Sequence, residues 1–195
     1  IIAYGINHLD PRLWMNEEET IQIHADANST EFYFTANYIN NIPDQKCGPN
    51  ATWRLEGDGK LIISGSGIVD GIDWYKKNDL YKYLKDKVKS IIVEEGITEI
   101  QGFSFYEFEY LRDVRLPETM KKIPEGLFEN CARLKEIIYS KNLTEIGNYA
   151  FDGCSLLEKV EFPSSLSKIG SFAFDDCSLL KEVYLPQNCE LSKNY

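Results

Sequence analysis

Three cysteines at a fixed interval are the first candidates for chemistry in this sequence. Cys131, Cys154 and Cys177 follow one another in steps of 23 residues. Such a row could bind a metal or form a disulfide, but three equivalent positions cannot all pair, and the CxxC and Cys-His spacings of zinc sites are missing. Phe108 stands in the same column. We therefore predict that these thiols act as small buried hydrophobes, with no metal site.

The other cysteines and the histidines do not form a catalytic pattern either. Cys47 and Cys189 lie at opposite ends of the repeated region described below, so we expect no bridge between them. The only histidines, His8 and His24, have no nucleophile motif near them that would indicate a triad.

Paired acids and glycines are the remaining candidates. Acidic neighbours such as Asp175 and Asp176 are consecutive in sequence, whereas glycosidase chemistry needs two carboxyl groups that converge across a cleft. Gly57 and Gly59 lack the Lys-Ser/Thr that completes a phosphate-binding loop. The sequence thus predicts no catalytic residue, no cofactor and no enzyme.

Three asparagines lie in N-x-S/T sequons and are possible glycosylation sites. They are Asn28, Asn50 and Asn142. Carbohydrate would be attached there only if the protein is secreted through a glycosylating pathway.

The charge balance excludes some partners. The formal net charge is −10 and the pI is about 4.8, whereas binding to duplex nucleic acid or an anionic membrane needs clustered Lys and Arg. The lysines between 76 and 89 form one local cluster, which we interpret as a solvated surface. No apolar run is long enough for a transmembrane helix. The chain also starts without Met or a basic segment, so we interpret it as a mature form or an excised fragment.

A repeat sets the elements that position these residues. Residues 97–188 contain one phrase of 23 residues written four times. Its columns are apolar: the Ile column has Ile100, Ile123, Ile146 and Ile169, and the Phe column has Phe105, Phe128, Phe151 and Phe174. Two further columns are Leu111, Leu134, Leu157 and Leu180, and Val114, Ile137, Val160 and Val183. A fixed period of this length predicts a solenoid, in which each repeat buries its apolar face against its neighbours.

Each repeat is predicted to contain one short strand and one compact half-turn. Segments such as LRDVRL and LKEVYL alternate with a period of two, which indicates a strand with the Leu111, Val114 and Leu116 columns facing inward. The other half-turn, with segments such as SFYEF and AFDGC, is expected to be helical or 3₁₀. Its Phe should enter the core from the outer side.

The region before the repeats divides into two predicted parts. Residues 47–96 combine a hairpin, ATWRL–EGDG–KLIISGSG, with a degenerate first repeat that has a helix over 77–87 and a strand over 89–93. The hairpin is well placed to cap the solenoid. Residues 1–46 show strands over 20–26 and 31–39 and a linker composition over 40–47. They are either a β-rich extension or the tail of a preceding domain.

The third part of the chain is the repeat region, residues 97–195. It shows no polar C-terminal cap, so we expect further repeats or a cap in the parent protein.

The repeat resembles a known family. The phrase I-G-x-x-A-F-x-x-C-x-x-L-x-x-V-x-x-P, present in residues 146–163 and 169–186, resembles the leucine-rich repeats of BspA-like proteins, and residues 47–75 look like the cap that precedes such repeats. The departures are Phe108 in the Cys column and Ser140 in the Pro column. The resemblance implies an α/β-type leucine-rich-repeat solenoid with parallel strands on its concave face. It also implies a secreted or cell-surface protein that adheres to host or neighbouring-cell proteins.

Any binding specificity should lie in the positions that do not repeat. The outward strand positions, which we call the concave face, are Ser90, Ile92, Asp113, Arg115, Glu136, Ile138, Lys159, Glu161, Glu182 and Tyr184. Exposed aliphatics, Arg and Tyr are typical of protein interfaces, although an ordinary half-solvated sheet has the same composition. The leading hypothesis is a non-enzymatic module that binds an extracellular or host-surface protein. The alternatives are a structural spacer and an accessory domain of a larger secreted enzyme.

Overall fold

A computed structural model describes residues 23–25, 32–34, 42–70 and 84–192. The described part is built almost wholly of short strands and turns, and only residues 84–87 are helical. The strands are β1 Ile23–Ala25, β2 Phe32–Phe34, β3 Ile42–Lys46, β4 Asn50–Leu55, β5 Lys60–Val69, β6 Ser90–Val93, β7 Ile97–Ile100, β8 Asp113–Arg115, β9 Lys122–Ile123, β10 Glu136–Ile138, β11 Glu145–Ile146, β12 Lys159–Glu161, β13 Lys168–Ile169, β14 Glu182–Tyr184 and β15 Glu190–Leu191.

The first two strands lie within the two predicted strand segments of the N-terminal region. β1 and β2 are antiparallel, with Ile23 opposite Phe34, and form a two-stranded sheet of their own. Most of the predicted spans 20–26 and 31–39 lies outside the described residues.

The predicted hairpin is confirmed. β4 and β5 pair antiparallel from Asn50 opposite Ser66 to Leu55 opposite Leu61. The predicted linker over 40–47 is wrong, because its residues form β3, which pairs antiparallel with β4. β3 is the edge of the sheet, and an edge strand tolerates a proline such as Pro43 because one side of it needs no hydrogen-bond donor.

The strands of the concave face are parallel, as predicted. β5 pairs with β6, β6 with β8, and β8 with β10, each with its neighbour in register. β12 and β14 also pair in parallel but form a separate two-stranded sheet. The strand predicted over 89–93 is β6. Of the helix predicted over 77–87, only residues 84–87 are described, and these are helical.

A second parallel sheet runs beside the first. It consists of β9, β11, β13 and β15, and we call it the lateral sheet. β7, at the corresponding place in the first repeat, pairs with β5 instead. Each of these strands ends in the apolar residue of the Ile column, apart from β15, which ends in Leu191.

The repeat columns form one continuous core. Phe105, Phe128 and Phe151 are fully buried, and their rings stack on one another at centroid distances of 5.5 to 5.7 Å. Phe174 continues the stack at 5.1 Å but is only partly buried, because it lies at the end of the column. This confirms that Phe enters the core in each repeat.

The prediction of helical or 3₁₀ half-turns is wrong, because these segments are successive turns. Two residues per repeat, four positions apart, have φ between 50° and 71°. A right-handed helix cannot contain a residue in this left-handed region. The two columns are Phe103, Gly126, Tyr149 and Phe172, and Glu107, Asn130, Gly153 and Asp176.

Candidate protein-binding surface

Nine of the ten concave-face residues, all except Ser90, are the predicted binding residues, and five of them occupy one row of strand positions. In this row Ile92, Arg115 and Ile138 occupy successive strands in register, and Glu161 and Tyr184 pair in register further along. Ile138 is 53% exposed and Tyr184 56% exposed. Arg115 is exposed too, whereas Ile92 is half-buried. The row thus offers apolar and guanidinium groups to a partner.

The second row is acidic at its centre. Asp113 and Glu136 lie opposite each other on β8 and β10, so two carboxylates share one exposed patch. Partial burial, followed by repulsion from Glu136, raises the pKa of Asp113 above its usual value. Like charges on adjacent strands destabilise a sheet, and a basic group from a partner would relieve this repulsion.

The residues of β12 and β14 contact one another. Lys159 forms an ion pair with Glu161, and its ammonium lies 5.7 Å from the centre of the Tyr184 ring. The Tyr184 hydroxyl lies 3.0 Å from a carboxylate oxygen of Glu182, to which it donates a hydrogen bond. The nearby Glu161 carboxylate raises the pKa of Lys159. These four side chains are therefore partly satisfied within the protein.

The concave face is divided between β10 and β12. No strand ladder joins these two strands. Instead, the Tyr139 phenol donates a hydrogen bond to the backbone carbonyl of Glu161, and the Tyr139 ring stacks on Phe162 at 5.8 Å. Burial raises the pKa of Tyr139 to about 12, so this phenol stays protonated as a donor. The predicted site is thus two adjoining surfaces, one on β6, β8 and β10 and one on β12 and β14.

The lateral sheet carries a charged row that the sequence reasoning missed. Lys122, Glu145, Lys168 and Glu190 follow one another in register. Both lysine ammonium groups lie 2.8 Å from a Glu145 carboxylate oxygen, and their hydrogen bonds lower the pKa of Glu145. The signal was the alternation of Glu and Lys in the column before the Ile column.

An open groove follows this charged row. It has a volume of about 670 Å³ and runs beside β9, β11 and β13. Its central carboxylate, Glu145, already has two ammonium partners. The concave face, in contrast, has exposed apolar groups and an acidic pair whose repulsion Arg112 and Lys60 offset only in part. This makes it the stronger candidate.

The cysteine column is buried, as predicted for small hydrophobes. The thiols of Cys131, Cys154 and Cys177 lie 3.1 to 3.2 Å from backbone carbonyl oxygens one repeat earlier, to which they donate. Burial raises the pKa of all three, and that of Cys177 to about 12. All five cysteines of the chain are free. Among the described residues no group of three or more His, Cys, Asp or Glu could hold a metal ion.

Ser140, which departs from the repeat pattern, is buried and bonded. Its hydroxyl donates to the backbone carbonyl of Glu118 at 3.0 Å and accepts a hydrogen bond from the Asn142 amide at 2.9 Å. The serine thus links two repeats at a place where the others have proline.

The sequons are partly described. Asn50 begins β4 and Asn142 lies in a turn after β10, and both are exposed. Asn28 and His8 lie outside the described residues, and His24 lies in β1. In the part of the chain that the structure describes, no helix is long and apolar enough to span a membrane.

Parallel strands that recur once per repeat on the concave face and once per repeat in the lateral sheet define the class of protein, a solenoid of leucine-rich repeats. The sequence profile of the BspA type leucine-rich repeat region matches residues 77–195. The chain belongs to this family. Repeat domains of this kind are generally protein-interaction modules without enzymatic activity. Comparison with curated proteins gives no match.

Solved structures of bacterial leucine-rich repeat proteins are similar to the chain. A protein from Eubacterium ventriosum is 25% identical over 77% of this chain and 39% of its own, with a TM-score of 0.66. A protein from T. pallidum is 26% identical over 71% and 59%, with a TM-score of 0.52. A Bacteroides ovatus protein is 22% identical over 70% and 33%, with a TM-score of 0.55. The chain spans less than two thirds of the length of each.

Proposed function

We propose that this protein is a binding module that holds a protein ligand on its concave face. The single observation that carries the proposal is the exposed row on β6, β8 and β10, in which Arg115 stands between Ile92 and Ile138. Arginine and large apolar groups dominate the energy of many interfaces. Ile138 is 53% exposed beside this arginine, so a partner that covers it lowers the free energy by removing apolar surface from water.

The acidic pair on β8 and β10 adds a preference for a ligand with a positively charged group. Asp113 and Glu136 lie on the same face as Arg115 and Ile138, two positions away on the same strands. A ligand that places Lys or Arg over the two carboxylates would be attracted and oriented by them. The best-fitting ligand therefore presents a basic side chain next to an apolar one. The second surface, with Lys159, Glu161, Glu182 and Tyr184, would contact the same ligand further along.

The biological role we propose is adhesion. The ligand is an extracellular or host-surface protein, and this protein is secreted or displayed at the cell surface. The family to which the repeats belong supports this role. Residues 47–96 would act as the cap and first repeat, residues 97–195 as the repeat array, and residues 1–46 as an extension or the tail of another domain.

A pull-down from extracellular host proteins tests the proposal. Arg115→Ala, Ile138→Ser and Tyr184→Ala should each weaken capture of the ligand by about tenfold or more, since truncation of an interface anchor typically costs about 2 kcal/mol or more. The matched control is Arg133→Ala, because Arg133 is an exposed arginine outside the concave strands, with its guanidinium over the Tyr110 ring. Circular dichroism would confirm that each variant is folded.

The outcome separates the competing roles. Loss of capture in the concave-face variants alone supports a binding module. Capture that survives Arg115→Ala, Ile138→Ser and Tyr184→Ala would show that the concave face is not the site. If the protein is a structural spacer, it should capture no ligand through either of the two adjoining surfaces of the concave face.

A further inference from the structure

Three exposed cations lie in a row where the concave strands begin. Lys89, Arg112 and Lys135 immediately precede β6, β8 and β10, respectively, and all three are exposed. The Arg112 amide donates to the Lys89 carbonyl at 2.8 Å, and the Lys135 amide donates to the Arg112 carbonyl at 2.9 Å. The three residues therefore stand on successive repeats, and we call them the basic row.

The basic row has no carboxylate partner. Five lysines elsewhere in the described part of the chain form ion pairs, namely Lys60, Lys85, Lys122, Lys159 and Lys168. Within residues 42–70 and 84–192, none of the three cations of the basic row does so. Arg112 acts on Asp113 only at longer range, where it offsets part of the rise in the pKa of Asp113. In a chain with a net charge of −10, the basic row thus presents three adjacent positive charges that no ion pair neutralises.

Acidic neighbours limit the basic row to a short and narrow strip. Glu158 follows Lys135 in the same column and is exposed, so the row ends after two steps between parallel strands, about 10 Å. Asp113 and Glu136 begin the adjoining acidic row, one position further along the chain. A broad polyanion such as duplex nucleic acid or an anionic membrane would also meet these acids and be repelled by them. A single extended polypeptide is narrow enough to follow the strip alone.

An aromatic ring near the basic row also favours a polypeptide as the partner. Tyr110, two positions before Arg112, is 38% exposed. The guanidinium of Arg133 lies 4.6 Å from the centre of its ring, which leaves Arg133 with a partner inside the protein. Exposed tyrosine next to arginine is typical of protein interfaces. A polypeptide can supply carboxylates for the cations and an apolar side chain for this ring from neighbouring residues.

We propose that the basic row binds an acidic segment of a partner polypeptide, a run of three or four Asp or Glu residues in extended conformation. At about 3.3 Å per residue, such a run covers the length of the row. Its carboxylates lie over Lys89, Arg112 and Lys135, and an apolar residue beside the run contacts Tyr110. The contact adjoins the concave face but does not depend on the ligand of that face.

A labelled acidic peptide tests this proposal on the full chain. The probe is a fluorescent hexaglutamate peptide that ends in leucine, and its binding is followed by fluorescence anisotropy at about 50 mM salt, where surface charges are weakly screened. Arg112→Gln combined with Lys135→Gln should weaken binding by about fivefold or more, because two exposed charge pairs are lost. Raising the salt concentration should weaken binding to the unaltered protein in the same direction.

The matched control removes two lysines that already have a partner. Lys122→Gln combined with Lys168→Gln changes the net charge by the same amount, but both ammonium groups bond Glu145 in the lateral sheet. This double variant should bind the peptide within about twofold of the unaltered protein, since paired exposed cations contribute little to a new contact. Circular dichroism would confirm that both double variants are folded.

The remaining outcomes would overturn the proposal. Equal loss in both double variants would mean that the peptide responds to net charge alone. Unchanged binding without Arg112 and Lys135 would place the acidic peptide elsewhere on the protein, and no binding at low salt would make the row an ordinary solvated surface. Duplex DNA that binds as tightly through the same residues would contradict a narrow partner. None of these results bears on capture by the concave face, which has its own variants.

Discussion

At the scale of single residues, burial decides what the repeated side chains do. The sequence predicted that the Phe and Cys columns belong to the core, because uncharged residue types recur at these positions. In the structure Phe105, Phe128 and Cys154 are completely buried. The exposure of Ile92 was harder to predict. Its position alternates correctly on β6, but the neighbouring Ile62 of β5, itself 6% exposed, lies beside it in register. A sequence pattern gives the face of a strand, not how much the next strand shields it.

Thiol labelling tests the assignment of the cysteines. Burial raises the pKa of Cys131, Cys154 and Cys177, so at pH 8 almost no thiolate is present and the sulfur is shielded. We expect iodoacetamide to leave these three unlabelled in the folded protein and to label them after unfolding. Cys189 is only half-buried and serves as the internal control that reacts first. Mass spectrometry of the labelled peptides gives the order in which the cysteines react. Labelling of Cys154 as fast as Cys189 would contradict the assignment of Cys154 as a buried thiol.

At the scale of the elements, the sequence predicted the strands but not the turns between them. Strands alternate visibly, whereas left-handed positions at Phe103, Glu107 and Tyr149 occur at residue types that rarely adopt them. Gly126 and Gly153 gave a signal, since glycine favours this region, and Asn130 and Asp176 gave a weaker one. At Gly126 the space of a side chain is filled by the Phe103 ring. The neighbouring repeat, rather than local preference, thus holds these turns.

Neutralisation of two carboxylates, Glu145 in the lateral sheet and Asp152 in a turn, should change the free energy of unfolding in opposite directions. Glu145 has a lowered pKa because of hydrogen bonds from Lys122 and Lys168, so its ionised form stabilises the folded protein. Asp152 has a raised pKa because of partial burial and repulsion from Asp175 and Asp176. At pH 7 we expect Glu145→Gln to lower the free energy of unfolding by about 0.5 kcal/mol and Asp152→Asn to raise it slightly.

The pH dependence follows from the direction of each pKa. The contribution of Glu145 is fully present above the unfolded pKa of about 4.3 and is lost as the pH falls through the lower folded pKa. The destabilisation by Asp152 arises as the pH rises through its raised folded pKa and disappears below the unfolded one. Urea unfolding of both variants at pH 7 and near pH 2.5 measures this. A Glu145→Gln deficit that persists unchanged in acid would rule out the ion pairs as its cause.

At the scale of the molecule, the division of the concave face could not be read from the repeat. The 23-residue period is unbroken across residues 120–165, yet β10 and β12 are not joined by a ladder. The lateral sheet and the turns do continue across the same two repeats, through β11 with β9 and Phe128 with Ala150. On the concave side, the Tyr139 phenol takes the place of a strand hydrogen bond. Between the concave strands themselves, the two halves of the proposed binding surface are therefore linked through Tyr139.

Removal of the Tyr139 hydroxyl should weaken the link between β10 and β12. Tyr139→Phe keeps the ring that stacks on Phe162 but deletes the donor to the Glu161 carbonyl. A typical hydrogen bond within a protein is worth about 1 kcal/mol, so we expect a loss of up to that size in the free energy of unfolding and faster amide exchange in β10 and β12. Tyr184→Phe is the matched control, because its hydroxyl bonds only the exposed Glu182 and should cost almost nothing. If both variants lose the same stability and β10 exchanges as before, Tyr139 does not couple the halves, and a ligand that spans them would have to join them itself.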